Sequence, residues 1–204
     1  MPTGSRIARE NAATVVEKVH VKHQSKRDLR ASLLNARAAL PDAERCAHDD
    51  AIGTAVVTWL RRHPVQVLGV YWPIRAEPDL RGSYAQLAAA GVQLALPVVA
   101  GKAAPLVFAR WTPGDPVEID RWGIATPVTT IHIAPQALLI PCVGFDGRGF
   151  RIGYGGGFYD RTLAADPRLE AIGIAYACGR VDFEVETHDR AMDVVITETG
   201  VTPE

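Results

Sequence analysis

At 204 residues, the chain is sized for one domain, or one domain with an extension. Apolar residues make up 48% and charged residues 22%, enough for a single sizeable core, while a formal net charge of -1 provides no global basic surface for nucleic acid or a membrane. Three cysteines, Cys46, Cys142 and Cys178, form no CxxC pair and no zinc spacing, and read as reduced, buried thiols of a cytosolic protein.

The first 24 residues lack the apolar stretch of a secretory signal, and Glu10 and Glu17 argue against a transit peptide. They read as an extension, partly disordered, with helical tendency over 12–20. From Ser25 onward, Leu29, Leu33, Ala36 and Leu40 recur at helical spacing and predict an amphipathic helix over 26–40. Pro41-Asp42 breaks it and caps a second helix over about 43–62, marked by Ile52, Val56 and Trp59 and ended by Pro64.

VQVLGVYW (65–72) is apolar, valine-rich and too short for a helix, so it predicts a buried strand. A loop, PIRAEPD, follows. Residues 79–90 read as a helix stopped by Gly91, and 92–100 as a strand. The stretch 82–101 carries no formal charge, but Gly91 and Pro97 interrupt it, so it is not a membrane span. Residues 105–111 predict another strand, 112–136 mainly loop, and 137–146 a further buried strand. A short helix is expected from Phe158 to about Ala165, then strands at 171–178 and 193–197. This alternation predicts one α/β domain over 25–204: a layered, mostly parallel, Rossmann-like sheet flanked by helices. Ligands in such sheets bind at the carboxyl ends of the strands.

At one such end lies RGFRIGYGGGFYDR (148–161), with five glycines and three arginines. Without Cβ atoms, successive amides can turn inward and approach a phosphate, and a helix start adds free amides and its dipole. Arg151, with Arg148 as a second candidate, supplies positive charge, and Asp160 is a carboxylate of the kind magnesium uses. The Walker pattern is absent, and the Rossmann GxGxxG fails because its third glycine position, counted from Gly153, is Phe158. The alternative is a tight turn with solvated arginines; five glycines after a buried strand favour the anion site.

GFDGRGFRIGYGGGFYDR (144–161) resembles the signature of the 5-formyltetrahydrofolate cyclo-ligase family, approximately FD..G.RLGYGGGYYDR, departing at Ile152 and Phe158. The second departure removes a hydroxyl and keeps a ring. KRDLR (26–30), YWPIRAEPD (71–79), RWGIATPV (121–128) and HDRAMDVVITETG (188–200) resemble further family segments in the same order, so the likeness spans about 26–200.

The resemblance implies ATP- and magnesium-dependent cyclisation of 5-formyltetrahydrofolate to 5,10-methenyltetrahydrofolate, by phosphorylation of the formyl oxygen and attack by N-10. It implies ATP contacts from Lys26, Arg27, Asp28, Leu29 and Arg30, and from Arg151, Ile152, Gly153, Tyr154, Gly155, Gly156, Gly157, Phe158 and Tyr159. Arg151 and Lys26 are the implied catalytic cations. Arg30, Trp72, Glu77, Trp122, Tyr154, Gly155, Gly156, Gly157 and Phe158 are the implied folate contacts, Glu77 accepting from the pterin amide and amino groups. Asp160 and Asp189 are the magnesium candidates, with Asp193 a competitor of Asp189, and His188 reads as structural. The expected partners are 5-formyltetrahydrofolate and ATP, with no nucleic acid and no membrane, in the cytoplasm. The sequence does not set the oligomeric state, although a monomer is favoured. A binding protein without turnover, or an ATP-independent sugar-phosphate isomerase or acyl-CoA transferase on a related sheet, are the competing classes.

Overall fold

The computed structural model describes residues 25–121, 123–129, 131–187 and 189–202; the expectations for 1–24, Trp122 and His188 lie outside the described residues. In chain order the elements are α1 (Lys26–Ala38), α2 (Asp42–Arg62), β1 (Val67–Gly69), α3 (Arg81–Ala89), β2 (Gln93–Val99), β3 (Leu106–Trp111), β4 (Val117–Ile119), β5 (Ala125–Pro127), β6 (Ala137–Pro141), β7 (Gly144–Phe145), β8 (Arg151–Ile152), α4 (Phe158–Ala165), β9 (Glu170–Ile174), β10 (Val194–Thr197) and β11 (Gly200–Thr202).

Seven strands form the main sheet in the order β11-β10-β9-β6-β1-β2-β3. The five inner strands run parallel, and β3 and β11 close the two edges antiparallel. Strands buried on both faces need apolar side chains at every position. In β6, Leu139 faces one core with Leu68, Ile172 and Ile196, while Leu138 and Ile140 face the other with Ala171 and Val195. Ile52, Val56 and Leu60 of α2 and Tyr84 and Leu87 of α3 complete the first core; Leu163 of α4 joins the second. Each fully buried Leu or Ile contributes about 1.5–3 kcal/mol, and α2 and α3 are held by such contacts. The chain is therefore the layered, mostly parallel α/β domain that its alternating pattern predicts.

Several boundaries differ from the sequence reading. The segment 112–136 is mainly loop, as expected, but β4 and β5 pair antiparallel within it, with Glu118 opposite Thr126. Three-residue strands are too short to show a period. The strand expected over 137–146 splits, because after Pro141 the chain leaves the sheet and β7 pairs with β8 in a separate hairpin. Buried Asp146 drives that turn by accepting from the backbone N–H groups of Arg148 and Phe150, at 2.9 and 3.0 Å. Only Val67–Gly69 of 65–72 is strand, and β9 ends at Ile174 before a 3-10 turn at Ala177–Gly179. The closing strand β11 was not expected. Of the three thiols only Cys142 is buried; Cys46 lies on an exposed face of α2 and Cys178 on the surface turn. Neither of those positions is reached by the apolar stripes that fill the cores.

Candidate active site

Sheet order reverses between β1 and β6: the chain passes from β1 out to β2, then returns to build β6, β9 and β10 on the other side. A crevice is expected at such a switch point. A cavity of about 350 Å³ opens there, floored by Tyr71 and Trp72 after β1, Pro97 of β2 and Pro141 of β6.

One wall is the glycine bend. It leaves β8, turns through left-handed conformations at Gly155 (φ 88°) and Gly157 (φ 64°), and enters α4, for which Gly157 is the N-cap. An L side chain at either position would be strained, so the bend depends on glycine. Arg30 Nε donates to the Gly153 carbonyl at 2.5 Å, and Arg161 Nη2 donates to the Gly156 carbonyl at 2.9 Å. Arg161 also reaches the carbonyls of Lys102 and Ala104, so the bend is tied to the loop before β3. With two of its carbonyls engaged by arginines and a helix N-terminus at its end, the bend has features that favour an anion.

Arg151 lines this cavity from a buried position (8% exposed). Its Nη2 pairs with Asp160 Oδ1 at 2.5 Å, and its Nη1 donates to the Arg190 carbonyl at 3.1 Å. Arg148 serves the turn instead, pairing with buried Asp146 at 2.6 Å. Lys26 Nζ sits between Asp189 Oδ2 (2.6 Å) and Glu186 Oε1 (3.0 Å). Burial pulls the Lys26 ammonium down, but the two carboxylates outweigh it and hold its pKa above the ordinary value.

The cavity is also lined by Glu77, 4% exposed. Its Oε2 accepts from the Ile74 N–H at 2.9 Å, and the Tyr154 hydroxyl acts on it as a further polar neighbour. Burial pushes its pKa up to about 7, against the pull of these groups and of Arg37 and Arg75. The folded state therefore binds a proton that the unfolded chain, titrating near 4.5, releases. Stability is lost as pH rises from 4.5 to 7. Urea unfolding of wild type and Glu77→Gln across pH 4.5–8 is expected to show the wild type losing roughly 2–3 kcal/mol relative to the variant over that window. Parallel curves would mean that Glu77 is not buried as described.

The structure brings together Lys26, Arg30, Trp72, Glu77, Arg151, Ile152, Gly153, Tyr154, Gly155, Gly156, Gly157, Phe158, Tyr159, Asp160 and Asp189 around one cavity. It does not bring Arg27, Asp28 or Leu29 there. Arg27 and Asp28 are exposed, the Asp28 N–H capping α1 through Ser25, and Leu29 is buried against Val143 and Ile152. Trp72 packs edge-on against Trp111, with the Arg81 guanidinium over its ring. Two residues escaped the sequence reading. Glu186 shares Lys26 with Asp189. Arg37, buried at 3% exposure, donates to the Tyr154 hydroxyl. Arg37 lies seven residues after Arg30, two turns along the same face of α1, and that spacing was its only local signal.

Three cations, Lys26, Arg30 and Arg151, face four carboxylates, Glu77, Asp160, Glu186 and Asp189. Among the described residues no cluster of three or more His, Cys, Asp or Glu side chains could hold a metal ion. Magnesium commonly takes one or two carboxylates and completes its shell with phosphate and water. Asp160 and Asp189 fit an ion carried in on a polyphosphate, and not a closed protein cage.

A family model described as the 5-formyltetrahydrofolate cyclo-ligase family matches residues 22–198. A protein of Mycolicibacterium smegmatis named 5-formyltetrahydrofolate cyclo-ligase is 31% identical, over 85% of this chain and 94% of its own. One of the same name from Escherichia coli K12 is 29% identical over 81% and 95%. Among solved structures, the 5,10-methenyltetrahydrofolate synthetase of Aquifex aeolicus superposes with a TM-score of 0.74 at 26% identity, covering 87% of this chain and 91% of that one. The corresponding synthetase of Mycoplasma pneumoniae gives 0.69 at 26% identity, covering 86% and 99%.

Proposed function

The chain belongs to the 5-formyltetrahydrofolate cyclo-ligase family, and on that premise we propose that it cyclises 5-formyltetrahydrofolate to 5,10-methenyltetrahydrofolate at the expense of ATP, releasing ADP and phosphate. One observation carries the reading: a glycine bend, a buried arginine and a buried carboxylate line one cavity. The bend and the arginine suit a polyphosphate, and the carboxylate suits the paired N–H donors of a pterin edge.

In this reading residues 153–157 and the start of α4 cradle the triphosphate. Lys26 and Arg151 neutralise the group in transfer, and Arg30 orders the bend through Gly153. Trp72 walls the folate ring, and Phe158 and Tyr159 pack against the flat rings. Trp122 is proposed as a folate contact on the resemblance of its segment alone; Arg27, Asp28 and Leu29 act by shaping and anchoring α1. Asp160 and Asp189 would hold magnesium, which when bound spreads the charge of the phosphates. The γ-phosphoryl moves to the formyl oxygen, N-10 attacks the activated carbon, and phosphate leaves with that oxygen. No protein nucleophile is needed, so catalysis reduces to alignment and charge compensation. Lys26 and Arg151 are already paired with Asp189 and Asp160, so the added negative charge of an entering triphosphate supports a requirement for a divalent cation.

Residues 25–204 are proposed as one catalytic unit, in the cytoplasm and as a monomer. No helix of the described residues is long and apolar enough to cross a membrane. Mixing protein, magnesium, ATP and 5-formyltetrahydrofolate is expected to generate the methenyl chromophore with one phosphate per turnover, and chelation of magnesium is expected to stop it. Folded protein that gives neither signal would defeat the reading.

A further inference from the structure

We propose that Arg37 is a positioning residue for folate: it fixes the Arg75–Ala76 turn and the Tyr154 hydroxyl so that the Glu77 carboxylate meets the cavity in a single arrangement. This rests on the reading of Glu77 as the pterin contact.

Arg37 ends α1 behind the cavity, almost fully buried. Its Nη2 donates to the Arg75 carbonyl at 2.9 Å and to the Tyr154 hydroxyl at 2.6 Å. An arginine can only donate, so the tyrosine oxygen must accept. The tyrosine hydrogen is thereby left free for another acceptor, and Glu77 is the carboxylate that feels this hydroxyl. The Arg75 carbonyl lies in an unusual turn. Arg75 (φ 49°) and Ala76 (φ 56°) are both left-handed without being glycine, a conformation that persists only when its surroundings hold it. Glu77 closes one side of the turn: its carboxylate accepts from Ile74 N–H and its own N–H donates to the Ile74 carbonyl, both at 2.9 Å. Arg37 closes the other.

Stability does not explain Arg37. Its Nε and Nη1 are buried without a protein partner, and a partly satisfied buried guanidinium opposes folding. Its charge does explain it. Around Glu77, Arg37 on α1, Arg75 on the loop and the Tyr154 hydroxyl of the glycine bend all favour the ionised carboxylate. Tyr71 after β1, Tyr84 of α3, Tyr159 of α4 and Cys142 after β6 face it as neutral groups. Loss of Arg37 removes one of the influences that favour the ionised carboxylate and shifts Glu77 further toward the protonated form, a donor where the pterin presents donors.

The test compares wild type, Arg37→Met, Glu77→Gln and the double variant in full-length protein. Arg37→Met is expected to raise KM for 5-formyltetrahydrofolate at least about ten-fold while KM for ATP stays within about two-fold. The pH below which folate affinity falls is expected to move up by about one unit. In the Glu77→Gln background the same change is expected to alter KM less than about three-fold. An unchanged folate KM, or both KM values rising together with a loss of Tm, would overturn the proposal. Should Arg37→Met not fold, Tyr154→Phe removes the hydroxyl that Arg37 holds near Glu77 and must reproduce the pH shift; an unshifted profile overturns it equally. Wild type that binds 5-formyltetrahydrofolate without turnover would defeat the functional reading alone, and the comparison is then read in Kd.

Discussion

Replacing Arg151 by glutamine is expected to lower kcat for methenyl formation about 10³-fold while changing KM for ATP by less than ten-fold. The magnitude follows from where the guanidinium is held. It is buried and fixed by Asp160 on one nitrogen and by the Arg190 carbonyl on another, so it needs little reorganisation when charge develops. Removing one preorganised donor from such a site costs about 10²–10³ in rate, and an arginine at a transferring phosphoryl group is worth about 10³–10⁵. Lysine at 151 keeps the charge but cannot satisfy both fixed partners and is expected to fall between the two. Stopped-flow or steady-state absorbance of the product, on protein whose Tm has been checked, gives the measurement. A glutamine variant within about three-fold of wild-type kcat would show that Arg151 serves only the fold.

The largest stability effect is expected at Gly149. Its φ is 84°, and a Cβ there would stand 2.9 Å from the Met192 carbonyl oxygen, a backbone atom that cannot swing aside. The same glycine donates to the Asp146 carbonyl and accepts from the Met192 N–H at 2.8 Å, tying the β7–β8 turn to the segment before β10. Gly149→Ala therefore combines backbone strain with a steric displacement, and urea unfolding is expected to show a loss of roughly 2–4 kcal/mol. Arg151 lies two residues further on, so kcat is expected to fall as well. Gly114 is the control: its φ is 103° but nothing lies within 4 Å of its virtual Cβ, so Gly114→Ala is expected to cost only about 1 kcal/mol. Equal losses at the two positions would show that the Met192 contact is not limiting.

What could be read from the sequence was what is local. Leu138, Leu139 and Ile140 sit in one apolar run because β6 is covered on both faces, and a run is visible without knowing its neighbours. The start of α4 at Phe158 follows from the glycines before it. The Lys26–Asp189 pair joins residues 163 positions apart, and only the fold brings them together. Asp189 was found through resemblance, while Glu186, three residues earlier, had nothing to mark it. The sequence reading grouped Arg27, Asp28 and Leu29 with Lys26 as one motif, although a helix turns adjacent residues to different sides. Arg37 was hidden for another reason: an arginine near a helix end ordinarily reads as solvated, and only the tertiary contact with Tyr154 shows it buried.

The central claim is that the bend at residues 153–157 clasps the triphosphate of ATP in the cavity that Glu77 also lines. A crystal structure with magnesium and a non-hydrolysable ATP analogue tests it most directly. The account predicts the β- and γ-phosphates on the amides of that bend, with Arg151 and Lys26 within hydrogen-bond distance and the metal on Asp160 or Asp189. Triphosphate bound elsewhere, with the bend closed or filled by side chains, would contradict it.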